Sequence, residues 1–351
     1  MDFQYNAEQL ALRDATRDFL HVYGCDERAW DRVCSELELP GLSVPTEYSG
    51  VGADLAESSI VFEEFGRALS PLPLTSHVFA VQAVLRMGDE EQRHRLMPGL
   101  LSGAHRAAFG ATGPAATDAA SATVLVSRPD GQTVLDGTCG PVLHGYGADL
   151  LVVAARAQTE TALYVVDTRD PGVGVQQLPS FDITRPVARV TLRQVEAERL
   201  DAAPAELERV LDVARVLLAA EMLGGAEACL ARSVEYACSR TQFGRPIGMF
   251  QAVKHMCSEM AIEIDATRVA VMYAAMSADD PAELAVAAPL VKAQAADTFT
   301  LCANTATQVH GGIAFTWEHD LHRYLRRAKA CEALFGSSSQ HRAVLAERVG
   351  L

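Results

Sequence analysis

Apolar residues in the first hundred positions recur at intervals of three and four. Leu10, Leu12, Phe19 and Leu20 fall near one face of a helix, and the same spacing predicts helices over 58–69, 76–87 and 90–101. Between the first two lies GLSVPTEYSGVG (41–52), whose Gly and Pro punctuation reads as a loop. From about 105 to 200 the period shortens. Runs rich in β-branched residues at 122–127, 133–135, 150–155, 162–166 and 187–192 are separated by turn signals such as Pro129-Asp130-Gly131, Asp170-Pro171-Gly172 and Pro179-Ser180. No helical period lies between them, so a small sheet or barrel is expected. Beyond 204 the strand signals stop. Pro204 suits a first helical turn with Asp201 as its cap, and long helical patterns cover 205–239, 249–278, 282–308 and 318–334. Abundant alanine there suits close helix packing. The expected architecture is α+β: a helical domain over 1–104, a β domain over 105–202 and a four-helix domain over 203–351.

Composition narrows the class. A chain of 351 residues exceeds one ordinary core, and 49% hydrophobic with 21% charged residues is a globular balance. The net charge of −15 argues against nucleic acid or an anionic membrane as partner, while leaving room for a phosphorylated ligand held by a local arginine. The eight cysteines include no CxxC pair and several sit in apolar helical runs, which predicts reduced, buried thiols in a cytosolic protein. The N-terminus is amphipathic and charged, unlike a signal peptide. The longest apolar stretch, 210–230, is interrupted by Asp212, Arg215, Glu221 and Glu227, so no membrane span is expected and the protein is placed in the cytoplasm.

Nucleophile-elbow, Walker, dinucleotide GxGxxG, HExxH and EF-hand patterns are absent. Two other segments stand out. In RTQFGRPIGMFQ (240–251) a helix ends, a tight Gly/Pro turn follows, and a new helix begins near Met249. Arg240 could bridge a pyrophosphate bidentately, Phe243 could pack on a purine and Gln251 could bond a ring edge. The same composition also describes an interhelix loop with a surface arginine. In QVHGGIAFT (308–316) the paired Gly311 and Gly312 either let the backbone approach a phosphate or another subunit, or simply terminate a helix.

Together these segments resemble the acyl-CoA dehydrogenase family. The resemblance extends over the whole chain: the α, β, α order, the early GLSVPTEYSGVG loop, RTQFGRPIGMFQ, and QVHGGIAFTWEHD running into LHRYLRRAKA. It implies FAD, tetramers built from dimers, and oxidation of an acyl-CoA thioester to the trans-2-enoyl-CoA, with a carboxylate removing the α-proton while the β-hydrogen leaves as hydride.

The sequence departs from the family where that base belongs. Counting from Gly311-Gly312, the usual Glu falls on Phe335, followed by Gly336, and the usual Thr-Ser-Gln is Ser337-Ser338-Ser339. The alternative base position on the first long C-terminal helix falls on Ala214. Glu221, about 10 Å further along that helix, is the remaining carboxylate candidate, against an interhelix role. In the β domain the family's Thr-Glu-Pro-Gly-Ala-Gly-Ser-Asp clamp corresponds to 112–118, without its glutamate and one glycine. The aromatic-Ile-Thr segment that backs the flavin ring corresponds to 141–145, where Pro141 replaces the aromatic.

In this family each FAD lies at a subunit interface. Arg240, Phe243, Gln251, Gln308, Gly311 and Gly312 match the half that a chain donates to its neighbour, whereas the degraded motifs belong to the half it uses for its own flavin. The resemblance therefore implies a non-catalytic subunit, like the short chain of actinobacterial α2β2 acyl-CoA dehydrogenases acting on steroid side-chain CoA thioesters. Such a chain completes the FAD site of a longer homologue. The alternatives are a self-sufficient homotetramer with Glu221 as displaced base, a flavin monooxygenase on the same scaffold, and a flavin-free scaffold protein.

Overall fold

The structure is a computed structural model and describes residues 4–24, 26–111, 117–128, 132–158, 160–200 and 203–351. The N-terminal helices are α1 (Ala7–Tyr23), α2 (Trp30–Ser35), α3 (Leu55–Arg67), α4 (Leu74–Met87) and α5 (Glu90–Leu101). Asn6, Asp54 and Asp89 open α1, α3 and α5 with reciprocal capping boxes to Gln9, Glu57 and Gln92, which satisfy the first free N–H groups. Phe19 and Leu20 of α1 are buried as their spacing predicts, but Leu10 is 38% exposed. The 41–52 loop is built from short 3-10 turns.

The middle of the chain forms one eight-stranded sheet: β1 (Ala107–Gly110), β2 (Val124–Ser127), β3 (Val134–Leu143), β4 (Leu150–Ala157), β5 (Glu160–Asp167), β6 (Val173–Leu178), β7 (Val187–Glu196) and β8 (Glu198–Arg199). Its order is β6-β7-β3-β2-β4-β5-β8, with β1 also against β4. The β1/β4 and β2/β4 pairs are parallel and the others antiparallel. The turn expected at 129–131, the clamp segment 112–116 and the cap Asp201 lie outside the described residues.

Helix α6 (Pro204–Ser239) is buried on every side over 210–229, where it runs through the centre of the molecule, and its last turns reach the surface. A small hairpin, β9 (Thr241–Gln242) with β10 (Arg245–Pro246), joins it to α7 (Gln251–Met276), and α8 (Pro281–His310) returns. Two shorter helices follow, α9 (Leu321–Ala333) and α10 (Ser338–Arg348). The expected four-helix unit thus has a fifth helix. Ser337 caps it through a box with Gln340, so the serine-rich stretch serves as a helix start.

Glycine sets the contact between the two helical layers. A Cβ on Gly66 would lie 1.8 Å from the Glu221 carbonyl oxygen, and one on Gly224 would lie 1.7 Å from that of Glu63. Only backbone against backbone fits where α3 crosses α6. Among the described residues no helix is long and apolar enough to cross a membrane. The described cysteines are all free, but Cys238 is exposed and Cys257 half-buried, so not every thiol is the buried one expected.

Candidate functional site

The charged residues within 210–229 of α6 must find partners, because that stretch is buried on all sides. Glu221 lies at the junction of all three parts of the chain. Its carboxylate accepts from Arg185 Nη1 at 2.8 and 3.1 Å, from Arg327 Nη1 at 2.7 Å and from Thr75 Oγ1 at 2.9 Å. Asp182 pairs with Arg327 at 2.7 Å and with Arg185 at 3.4 Å. Arg327 also donates to Thr184 and Ser70, and Arg185 Nη2 donates to the Cys331 sulfur at 3.0 Å. Thr75 is on α4, Asp182 to Arg185 lie in the β6–β7 connection, and Arg327 and Cys331 are on α9. Burial alone would raise the Glu221 carboxyl, but Arg185 and Arg327 outweigh it and hold the group below the usual carboxylate range.

Of the two roles weighed for Glu221, this geometry favours the interhelix one over the displaced base. Both carboxylate oxygens are engaged, and the side chain is 2% exposed. A depressed pKa makes it a poorer proton acceptor, not a better one. Sequence reasoning missed Asp182, Thr184, Arg185 and Arg327. The available signal was a lone glutamate in an otherwise apolar run, which requires a buried cationic partner.

Phe335, which the resemblance aligns with the family's base, fills space rather than opening it. It is 5% exposed, and its ring lies 5.6 Å from Phe79 of α4 and 6.3 Å from Phe109 of β1. Phe62 of α3 stacks on Phe79 at 6.1 Å, giving a four-ring cluster shared by three layers. Lys292 donates to the Gly336 carbonyl at 3.0 Å, with burial lowering its pKa to about 8. Ala214 is buried and carries no proton acceptor. Next to it Arg215 is paired with Asp212 and donates to the Thr117 carbonyl, while Arg348 holds Asp212 from the other side at 3.0 Å.

The segment that matches the flavin-backing strand is also turned to structural use. Pro141 is exposed at the end of β3. His144 is buried, and its Nε2–H donates to the Pro71 carbonyl at 2.9 Å, pinning the strand to the N-terminal helices. Burial, reinforced by Arg185, lowers the His144 pKa to about 4 and keeps the ring neutral. Surface grooves of about 590 and 850 Å³ lie elsewhere, lined chiefly by α1, α3 and α7 residues and by the 43–56 loop, respectively.

The remaining candidates gather at one end of the C-terminal helices. Because α7 runs back between α6 and α8, the ends of α6 and α8 and the start of α7 meet there. Arg240, Gln251, Gln308, Gly311 and Gly312 are all exposed, and the Phe243 ring is 92% exposed. Phe243 and Gly244 sit at φ +52° and +75° in the hairpin tip, which projects away from the helices. Gln251 Nε2–H makes one long bond, 3.4 Å, to His255. Nothing lies within 4 Å of a Cβ built on Gly244, Gly311 or Gly312. One guanidinium, two side-chain amides, an aromatic ring and two open glycines form a donor set that fits the phosphates and base of a dinucleotide. The structure thus pairs an open end of the bundle with a filled interior.

An all-helical layer, a central mixed sheet and a helical bundle define an acyl-CoA dehydrogenase fold, and the chain belongs to the acyl-CoA dehydrogenase family. Residues 6–104 match the acyl-CoA dehydrogenase N-terminal domain, and residues 206–350 match the C-terminal domain. Among relatives, acyl-CoA dehydrogenase IpdE2 of Mycobacterium tuberculosis is 36% identical over 90% of this chain and 84% of its own length. Acyl-CoA dehydrogenase FadE34 of the same organism is 33% identical over 95% of this chain but only 44% of its own length. The solved structure of a variant of the Tcur3481-Tcur3483 steroid ACAD superposes with a TM-score of 0.90 at 29% identity, covering 98% of both chains.

Proposed function

We propose that this chain is a non-catalytic subunit of a flavin-dependent acyl-CoA dehydrogenase. It completes the FAD site of a longer, base-carrying homologue in an α2β2 heterotetramer. The observation that carries the reading is the division between its two halves. The residues matching the neighbour-donated half are exposed and unencumbered at one end of the bundle, while the base position is packed with aromatic rings. FAD bound there would supply the hydride acceptor for the acyl β-carbon. Arg240 would hold its pyrophosphate, Phe243 would pack near the adenine, Gln251 would bond a ring edge, and Gln308 with Gly311 and Gly312 would line the dinucleotide. The α-proton goes to a carboxylate of the partner.

Similarity to a two-chain steroid enzyme supports CoA thioesters of steroid side chains as the substrate class. FadE34 is more than twice as long as the stretch aligned here, which leaves room in one polypeptide for a second unit of the same size. The absence of a membrane-spanning helix among the described residues agrees with a cytoplasmic enzyme.

Flavin absorbance and native mass, measured on the chain alone and after co-expression with the longer homologue, test the reading. The expected result is a colourless chain that becomes a yellow α2β2 tetramer with two flavins, whose flavin content collapses in Arg240→Ala. A yellow homotetramer with one flavin per chain, forming enoyl-CoA unaided, would overturn it.

A further inference from the structure

The two stretches that form the open half-site lie about seventy residues apart in sequence, on the ends of different helices. A ring contact links the helix ends that carry them. The rings of Tyr236 and His310 stack at 4.3 Å with an interplanar angle of 19°. Tyr236 is one helical turn before Arg240, and its carbonyl accepts the Arg240 N–H at 2.8 Å. The Arg240 carbonyl in turn accepts from Ile247 N at 2.8 Å, which closes the hairpin that carries Phe243. On the other side His310 immediately precedes Gly311, whose N–H closes α8 on the Thr307 carbonyl and whose φ of +66° turns the chain outward. His310 Nδ1–H donates to the Ala306 carbonyl at 2.8 Å, which fixes the ring plane. The ring is 6% exposed although both glycines after it are open to solvent, and His319 meets it from the following loop at 4.9 Å.

We infer that Tyr236 and His310 are a positioning pair that sets the separation between the Arg240 guanidinium and the Gly311-Gly312 backbone, so that one dinucleotide can engage both; this rests on the reading of the half-site given above. Neither ring needs to touch the ligand. Misplacement by about 1 Å is enough to cost roughly a hundredfold where two groups must act on one ligand together. A ring stack between two rigid helices resists such drift better than aliphatic contact, because offset stacking has a preferred spacing and tilt. Burial lowers the His310 pKa, so the stack forms with the neutral imidazole near pH 7. Arg232 and His319 are the charged or titratable groups that act on it, and both disfavour the imidazolium.

The test measures FAD affinity by flavin fluorescence on the co-expressed complex, with native mass and melting temperature recorded for each variant. His310→Ala should weaken FAD binding by about tenfold or more while the complex keeps its mass. His310→Phe, which keeps a ring in place, should restore most of the affinity. In an Arg240→Ala background His310→Ala should cost nothing further, since it acts through that residue. If His310→Ala prevents assembly, Tyr236→Leu in both backgrounds decides the matter in the same way. Unchanged affinity in His310→Ala where Arg240→Ala weakens binding overturns the inference and leaves the proposed function standing. So do strictly additive losses. If Arg240→Ala itself leaves FAD affinity unchanged, the proposed function fails and this inference with it.

Discussion

Substituting Glu221 by Gln separates a structural anchor from a catalytic base. The wild-type cluster is balanced, with Arg185 and Arg327 facing Glu221 and Asp182, and these side chains are only 2–3% exposed. Gln keeps the shape and one acceptor but removes a unit of charge, leaving a net positive charge in the interior. Two charges at 4 Å interact by about 4 kcal/mol at an effective dielectric near 20. Removing one partner of a buried ion pair typically costs about 3–5 kcal/mol. At about 2 °C per kcal/mol for a chain of this size, the apparent melting temperature should fall by roughly 6–10 °C. The assay is thermal unfolding of the chain and of its complex by circular dichroism at pH 7.5, with enoyl-CoA formation by the complex measured below the transition. Activity per folded complex should be nearly unchanged. A shift under about 2 °C would refute the electrostatic argument. The same small shift with loss of dehydrogenation by the chain alone would make Glu221 the base.

Placing a carboxylate at the family's base position, Phe335→Glu, should not create a dehydrogenase. It should destabilise the aromatic cluster by about 3–5 kcal/mol, as for loss of a buried phenyl ring, and enoyl-CoA formation by the isolated variant would contradict the reading of that cavity as filled. Gly224→Ala should fail to assemble α3 on α6, which far-UV circular dichroism and limited proteolysis report; a wild-type melting temperature would contradict the close crossing. Acid sensitivity should begin well above the carboxylate range. His77 and His144 have pKa values lowered to about 4 and His341 to about 3, in each case mainly by burial. Their contribution is therefore complete above the unfolded value near 6.5 and is lost as pH falls below it, because the unfolded chain takes up protons that the fold refuses. At pH 5.5 the loss is about 1.4 kcal/mol for each, seen as a declining melting temperature, and a flat profile from pH 7 to 5 would rule this out. Glu221 and Asp182 are lowered as well, but for an acid this favours the charged form, so their stabilisation persists to lower pH and fades only as pH falls through their depressed values.

The elements legible in the sequence were those with both a period and a terminus. Helix α5 reads directly from its apolar spacing, its Asp89 cap being seen only in the fold, and the central strands read from their β-branched runs between turns. Strand β1 is four residues of AAFG and carries no alternation to detect. Helix α10 is polar at most positions and starts in a serine run that resembles a loop, so its capping box was the only local sign. Glu221 was visible as an oddity, but its partners lie 36 and 106 residues away, on a loop and on another helix. Position along the chain gives no hint of such meetings; only the requirement that a buried charge be matched does. The half-site residues stood out through their motif, whereas the Tyr236–His310 contact joining them is a product of tertiary packing alone.

The placement of Arg240 and Gly311 on neighbouring helix ends makes the intervening chain a ruler rather than a linker. Helix α7 descends for 26 residues and α8 climbs back for 30 before the glycines turn outward. Deleting one residue within α8 would draw its end back by about 1.5 Å and rotate it by roughly 100°, swinging Gln308 off the open face. Insertions and deletions should therefore be rejected along both helices in functional relatives, while the exposed turns of the sheet tolerate them. Length, as much as residue identity, is under constraint in this stretch.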